Sequence, residues 1–359
     1  MRILFDGLPI TGSSLAIVIE HTLAGWQQLA DRDELHIVLG PDAELTVPDA
    51  VTVHRVGFGR RPGLGRVRQQ NVAVPRLARQ LGADVVVGVL PTTTIAPLPC
   101  PRIVMAYDIR HELRPHQFSR KTLAMRKVSY GLGWRQADGI TCISNRTRQD
   151  LLRSRPWLAK RPVRLNLLGA DHVDSWPAGV HPERYAIAFG QYGNKNVDLV
   201  LDAWRLQLDR GPVVPLVIVG LGEGPRAETQ RRIDQLGLSD VVTPLPWLSD
   251  EQFRARFASA DLVVFPSDFE GFGLPAVEAM RLGLPLVVTP ETALLEVTGG
   301  HATVMDGWDP PALADAVGVA LGRTPAELEA ARQHALPFTW RRTAADVRAL
   351  LVEVADRKP

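Results

Sequence analysis

Two glutamates eight positions apart, Glu270 and Glu278, flank the stretch Gly271, Phe272, Gly273 and Leu274. The apolar run from Leu262 to Phe265 precedes them, and a helical pattern through Met280 follows, so the segment reads as strand, glycine loop and helix. The start of a helix offers backbone N–H groups that lack an intrahelical acceptor and the positive end of a dipole, which together seat a phosphate. Gly271 and Gly273 let the backbone approach a ligand closely. Glu270, before the helix, and Glu278, inside it, can then reach different parts of one ligand, one a sugar and the other a ribose. The same residue types also fit a structural account, with Glu278 on an exposed helix surface and Glu270 as a carboxylate favoured near the helix dipole.

Elements able to hold such a segment recur along the chain. Arg2 to Phe5, Leu35 to Leu39, Asp84 to Leu90, Arg102 to Ala106 and Gly139 to Ile143 read as buried strands separated by helical stretches. Alternation of this kind implies a parallel sheet covered on both faces, because right-handed crossovers place the helices there. The run from Gly169 to Pro182, rich in proline and glycine, breaks the rhythm and reads as a linker. The pattern then restarts with Tyr185 to Gly190, a helix from Asn196 to about Leu208, Leu216 to Gly220, a helix after Pro225, Val241 to Leu245, Leu262 to Phe265 and Leu286 to Thr289. A last helix is expected over Thr343 to Val354. The expectation is an α/β protein of two doubly wound parallel-sheet domains facing across a cleft. The N-terminal domain covers residues 1–170, a linker 171–183, the C-terminal domain 184–337, and a C-terminal helix in 338–359 crosses back toward the first domain. Ligands in open sheets of this type bind beyond the carboxyl ends of the strands.

At 359 residues the chain is long enough for two cores, and 45% hydrophobic with 22% charged residues is ordinary globular composition. No apolar run approaches the ~20 residues needed to cross a bilayer, and the start of the chain lacks a signal-peptide pattern, so a cytoplasmic location is expected. Cys100 and Cys142 lie far apart without metal-ligand spacing. The net charge of +2 argues against a dedicated nucleic-acid binder. Its basic residues are nonetheless grouped: Arg60, Arg61, Arg66 and Arg68 in one set, and Arg110, Arg114, Arg120, Lys121, Arg126 and Lys127 in another. They fit either two solvated faces or a surface for an anionic acceptor or an anionic membrane. Two further patterns carry little weight. Gly220-Leu-Gly-Glu-Gly224 places its third glycine one position early for a dinucleotide fingerprint. Asp31-Arg-Asp33 has a metal-binding form but sits in a polar stretch that reads as a solvated turn.

The segment from Phe265 to Met280 resembles the signature of glycosyltransferase family 4, the large group of retaining, mannosyltransferase-like enzymes built from two Rossmann-like domains in the GT-B arrangement. The resemblance implies that Glu270 contacts the donor sugar, that Glu278 binds the ribose hydroxyls, and that the backbone of Gly271, Phe272, Gly273 and Leu274 binds the distal phosphate. It extends over most of the chain. Ala137 to Ser144 is similar to the family's last N-domain strand, and Gly169-Ala-Asp171 to its interdomain hinge. Gly190-Gln-Tyr-Gly-Asn-Lys-Asn196 resembles the loop that gives an arginine and a lysine to the donor diphosphate: Lys195 stands at the lysine, whereas Gln191 stands where the arginine usually is. Gly12 and Ser13, with Thr11, occupy the place of the family's N-terminal glycine loop. Val104 to Ile109, followed by Pro115 and Phe118, is similar to a strand end carrying His-Asp; Asp108 is kept and Tyr107 replaces the histidine, with His111 as a substitute. Trp247 and Leu248 stand where relatives contact the nucleobase.

These correspondences imply a hexosyltransferase that uses a nucleoside diphosphate sugar as donor substrate and needs no metal or other cofactor. Lys195 and helix N-termini would neutralise the leaving diphosphate, while Glu270 orients the sugar. The acceptor is expected to be a glycan, a glycolipid or a small molecule, in polysaccharide, glycolipid or natural-product glycosylation, with peripheral contact to the inner face of an anionic membrane as a further possibility. Two alternatives stand beside this one: a nucleotide-sugar epimerase of the same fold, and a non-catalytic nucleotide-sugar binding subunit, the latter suggested by Gln191 and Tyr107.

Overall fold

The computed structural model describes residues 1–11, 14–177 and 184–357. The chain divides into two compact units, Met1–Gly169 with Thr339–Pro359, and Ala170–Phe338. Each holds one parallel sheet.

In the first unit, strands β1 (Arg2–Asp6), β2 (Glu34–Leu39), β3 (Val51–Arg55), β4 (Val85–Gly88), β5 (Arg102–Ala106), β6 (Gly139–Cys142) and β7 (Val163–Leu165) lie in the order 3-2-1-4-5-6-7. Helices α1 (Ser14–Trp26), α2 (Pro62–Leu81), α3 (Arg110–Leu113), α4 (Arg120–Gln136) and α5 (Asn145–Ser154) connect them. Side chains alternate across a strand, so consecutive residues of β1 serve different cores. Ile3 and Phe5 pack with Ile19, Leu23 and Trp26 of α1, whereas Leu4 packs with Val74 and Ala78 of α2. Helix α4 joins α2 on that second face, through Tyr130 and Trp134 against Val104 and Ala106 of β5.

The second unit places β8 (Ala186–Phe189), β9 (Leu216–Val219), β10 (Val242–Pro244), β11 (Leu262–Phe265), β12 (Leu286–Val288) and β13 (Thr303–Val304) in the order 10-9-8-11-12-13. Its helices are α6 (Val197–Arg210), α7 (Glu223–Leu236), α8 (Asp250–Ala258), α9 (Leu274–Arg281), α10 (Thr292–Thr298), α11 (Pro310–Leu321) and α12 (Pro325–Ala335). Both sheets reverse strand order once, between β1 and β4 and between β8 and β11. At such a reversal the loops leaving two neighbouring strands diverge to opposite faces and leave a crevice for a ligand.

The last helix, α13 (Trp340–Asp356), returns to the first unit and packs Val347, Leu350, Leu351 and Val354 into the core shared with α1. A Cβ at Gly25 would run into the Trp340 carbonyl, so only glycine allows α1 this close to α13.

Most strands fall where the apolar runs place them. Three edge strands, β3, β7 and β13, were not expected; β3 buries only Val51 fully, because an edge strand packs on few neighbours and loses the continuous apolar pattern. Helix α7 begins at Glu223, two residues before Pro225, which sits in the first turn where its missing N–H costs no hydrogen bond. Of the pair Asp31 and Asp33, only Asp33 departs from the reading as a solvated turn; Asp31 keeps an exposed side chain. The Asp33 carboxylate is buried and accepts from the N-terminal ammonium at 2.7 Å, Trp26 Nε1 at 3.1 Å and Arg348 Nε at 2.6 Å. Burial alone would raise this carboxyl, but Arg348, the chain amine and Trp26 together hold it below the ordinary carboxylate range. Asp31 lies 3.0 Å from the same arginine. No helix of the described residues is long and apolar enough to cross a membrane.

Candidate functional site

The loops leaving β8 and β11, at the strand reversal of the second sheet, are knitted into one structure. A Cβ at Gly190 would run into Leu221, so the chain can leave β8 at this point only as glycine. A single 3-10 turn, Gly193–Lys195, leads to Asn196, the one non-glycine residue with positive φ (53°) among the described residues. Asparagine tolerates this conformation through its short polar side chain, and Asn196 Nδ2 donates to the Pro266 carbonyl at 2.8 Å, tying the first loop to the second.

The neighbouring Asn194 is buried, and its Nδ2 faces Ser267 Oγ at 2.8 Å, the Phe269 carbonyl at 2.9 Å and Glu270 Oε1 at 3.2 Å. Its own carbonyl accepts from the Asp268 N–H at 3.0 Å. Lys195, also buried, donates through Nζ to Glu270 Oε1 at 2.6 Å and stands 4.1 Å from the centre of the Phe265 ring. Ser267 Oγ lies 2.5 Å from the same carboxylate oxygen. Every hydrogen bond found for Glu270 therefore converges on Oε1. The carboxylate is fixed in orientation, and Oε2 is left to accept from a ligand hydroxyl. Lys195 is at once the counter-ion of Glu270 and a donor with two further hydrogens for an incoming anion.

Helix α9 starts beyond this point. Gly273 is its N-cap, with φ 96°, and a Cβ there would also meet Leu294. The Phe272 ring is turned away from the loop, buried edge-on against Phe338 at 6.0 Å, so this residue offers its backbone rather than its side chain. Glu278 is 6% exposed, which removes the reading of an exposed helix-surface residue. Its Oε1 lies 3.0 Å from His172 Nε2. His172 belongs to the turn Asp171–Ser175, and that turn is clamped to α9 by a two-pronged Arg281–Asp174 pair at 2.7 and 2.6 Å. Glu270 and Glu278 thus have separate partner sets on one loop and helix. Gln191 is exposed, and its side-chain carbons pack over Gly220. Trp247 is 69% exposed beyond β10, with Leu248 half-buried beside it.

In the first unit, Gly12 and Ser13 lie outside the described residues. Tyr107 points its hydroxyl at Met105 Sδ, 3.8 Å away, and burial pushes the phenol far above its usual range. Asp108 Oδ1 accepts from the Arg110 N–H at 2.8 Å. His111 is buried, and burial holds its imidazole below the usual range. At the strand reversal, Asp6 is fully buried at the end of β1 and accepts from Thr93 Oγ1 at 2.7 Å, Gln70 Nε2 at 3.2 Å and the Leu8 N–H at 3.3 Å. Burial raises its carboxyl to about 6 against those hydrogen bonds.

Residues 180–325 match the family model described as glycosyl transferases group 1. That match covers most of the second unit and under half of the chain. Within it lie the whole Lys195–Glu270 network and Glu278; His172, supplied from just before the matched residues, was not singled out from sequence, though it directly follows the Gly169-Ala-Asp171 signature. Among curated proteins, the chain is 36% identical over 170 residues to the MMP alpha-(1->4)-mannosyltransferase of Mycolicibacterium hassiacum, covering 46% of this chain and 40% of that one. The chain spans less than half the length of the curated relatives it matches. Solved structures are similar along the whole chain. Sucrose-phosphate synthase from Thermosynechococcus elongatus matches with TM-score 0.75 at 16% identity, covering 100% of both chains. Anabaena Alr3699/HepE in complex with UDP and glucose matches with TM-score 0.72 at 18% identity, covering 98% of this chain and 100% of that one. The fold is therefore of the GT-B type, two parallel-sheet α/β domains.

Proposed function

We propose that this chain is a retaining hexosyltransferase of the family 4 type, with a nucleoside diphosphate sugar as donor and a glycan, glycolipid or small-molecule hydroxyl as acceptor. The observation that carries the reading is the pairing of Lys195 with Glu270 at 2.6 Å beside the start of α9, with a second buried carboxylate, Glu278, one turn along that helix. The donor diphosphate takes the ammonium hydrogens of Lys195 that Glu270 does not use, together with backbone N–H groups of the Gly271 to Leu274 segment. Glu270 Oε2 accepts from a sugar hydroxyl, and Glu278 from the ribose. The bond between the anomeric carbon and the diphosphate oxygen breaks as charge develops on that oxygen, where a positioned ammonium and helix N-terminus stabilise it most. The acceptor oxygen bonds to the anomeric carbon on the face the diphosphate leaves, and its proton passes to a donor phosphate oxygen. No resident metal or cofactor enters this scheme. The mannosyltransferase name of the curated relative supports a hexose, and the UDP and glucose of the HepE complex support a nucleotide-sugar donor.

Titration of the protein with UDP, GDP, ADP and dTDP tests the reading. One nucleotide is expected to bind well above the others, with weaker binding in both Lys195→Ala and Glu278→Ala; failure of all four to bind overturns it. A non-catalytic binding subunit is the second reading, favoured by Gln191, which places no cation over Gly220, and by Tyr107, whose hydroxyl is spent on a sulfur. Release of nucleoside diphosphate from a bound donor excludes it.

A further inference from the structure

Helices α2 and α4 share one face of the first sheet, and the chain there is stripped of acids. Residues 50–83 and 113–137 contain no aspartate or glutamate. Between these helices and the loop after β5 lies a cluster centred on Tyr130. The His111 ring meets Tyr130 edge-on at 5.0 Å, and the Arg126 guanidinium lies 5.8 Å from the Tyr130 ring and 5.0 Å from that of Phe118. Burial raises the Tyr130 phenol above its usual range, with smaller influences of either sign from the charges of Arg126, Asp108 and, from α2, Arg66.

Two features set this cluster apart from a solvated basic face. His111 is 3% exposed, yet neither ring nitrogen has a hydrogen-bond partner, and the buried Nε of Arg66 has none either. Buried donors are almost always satisfied, so groups left without partners mark the place of a missing one. The adjacent Glu112 is the nearest acid, but its Oε1 stands 3.5 Å from His111 Nε2 with no hydrogen bond between them, and the carboxylate is turned to Arg155, at 3.0 and 2.5 Å, and to Ser154 at 2.9 Å. With that pair neutral, Asp108 offsets only one of the two cations Arg66 and Arg126, and Arg110, 5.6 Å from the Phe118 ring, adds another. An anion would answer both the unpartnered groups and the excess of positive charge. Guanidinium forks with an imidazole N–H suit the several acceptor oxygens of a phosphate better than a single carboxylate.

We infer that His111, Arg66 and Arg126 form a subsite for a phosphate monoester carried by the acceptor. The cluster lies just beyond the carboxyl end of β5, on the side of an open sheet where ligands bind, and next to Asp108. The inference rests on the first unit being the acceptor-binding part of a transferase, and it extends that reading to the acceptor's charge. The phosphate belongs either to a soluble sugar or polyol phosphate or to a lipid head group.

Calorimetry with a hexose 6-phosphate, the same hexose without phosphate, and inorganic phosphate tests it, alongside co-sedimentation with vesicles of phosphatidic acid or phosphatidylcholine. Wild type, Arg66→Gln, Arg126→Gln and His111→Asn are compared, with nucleoside diphosphate binding measured separately in each. Loss of one charge-assisted hydrogen bond is expected to weaken phosphate binding about tenfold or more, with no change in nucleotide binding, and the plain hexose should not compete. Preference for the soluble phosphate identifies a small acceptor; variant-sensitive binding to phosphatidic acid vesicles alone identifies a lipid one. Absence of binding by either phosphate source, or binding equal in all three variants, overturns the inference. A protein that binds sugar phosphate but no nucleotide leaves the subsite standing and removes the transferase reading.

Discussion

Replacing Lys195 by methionine keeps the length of the stem and removes the ammonium 2.6 Å from Glu270 Oε1. Two separate losses follow. The first is in stability: breaking a buried ion pair by removing one partner costs roughly 3–5 kcal/mol. Here Glu270 keeps Ser267 at 2.5 Å and Asn194 at 3.2 Å, and its side chain is 15% exposed, so we expect a cost below that range, about 2–3 kcal/mol. The second is in binding: one charge-assisted contact to the diphosphate is worth about 1.5–3 kcal/mol, or roughly 10- to 150-fold in Kd. A double variant separates them. Adding Glu270→Gln to Lys195→Met removes the stranded charge and should restore about half of the lost stability, while leaving nucleotide binding as weak as in the single variant. Native-state hydrogen exchange of the β8 and β11 amides reads the second unit alone, and calorimetry with the preferred nucleoside diphosphate reads binding. Unchanged nucleotide affinity in Lys195→Met would refute the phosphate role, and unchanged exchange would refute the coupling to Glu270.

Three other expectations are independent of that cycle. If Glu278 holds the ribose, a 2′,3′-dideoxynucleoside diphosphate should bind wild type and Glu278→Ala equally, whereas the ordinary nucleotide loses about tenfold in the variant; calorimetry with both ligands decides. Asp6 has its carboxyl raised to about 6 in the folded chain, above an unfolded value near 3.8, so its contribution to stability is full below pH 4 and is lost as pH rises through 6. The loss amounts to ~3 kcal/mol, and urea unfolding of the first unit from pH 4 to 7 should lack that slope in Asp6→Asn. Asp33→Ala leaves Trp26 Nε1 without its acceptor and Arg348 with Asp31 alone and should lower the first unit's stability by about 2–4 kcal/mol, seen as an earlier urea midpoint at neutral pH.

The sequence made the central strands legible because strands buried on both faces must be apolar throughout, and it made the Glu270 to Glu278 loop legible because glycines and carboxylates there sit at fixed spacing. Partnerships across distance were not legible. His172 meets Glu278 over 106 positions, and Arg348 meets Asp33 over 315; no local pattern announces either. Asp33 looked like a turn residue because its neighbours are polar, and its partners are the distant Met1, Trp26 and Arg348. Arg66, Arg126 and His111 were visible as basic residues, but which of them lacked partners depended on the packing around Tyr130.

The return of α13 to the first unit also sets an order of events during synthesis. Residues 170–338 contain every strand and helix of the second unit, whereas the first unit is made in two parts, one on each side of it. Phe5, Leu23 and Trp26 are synthesised before the second unit, and Val347, Leu350 and Leu351, which cover them, after it. Until α13 joins the earlier part, that part carries an open apolar face of the kind chaperones engage.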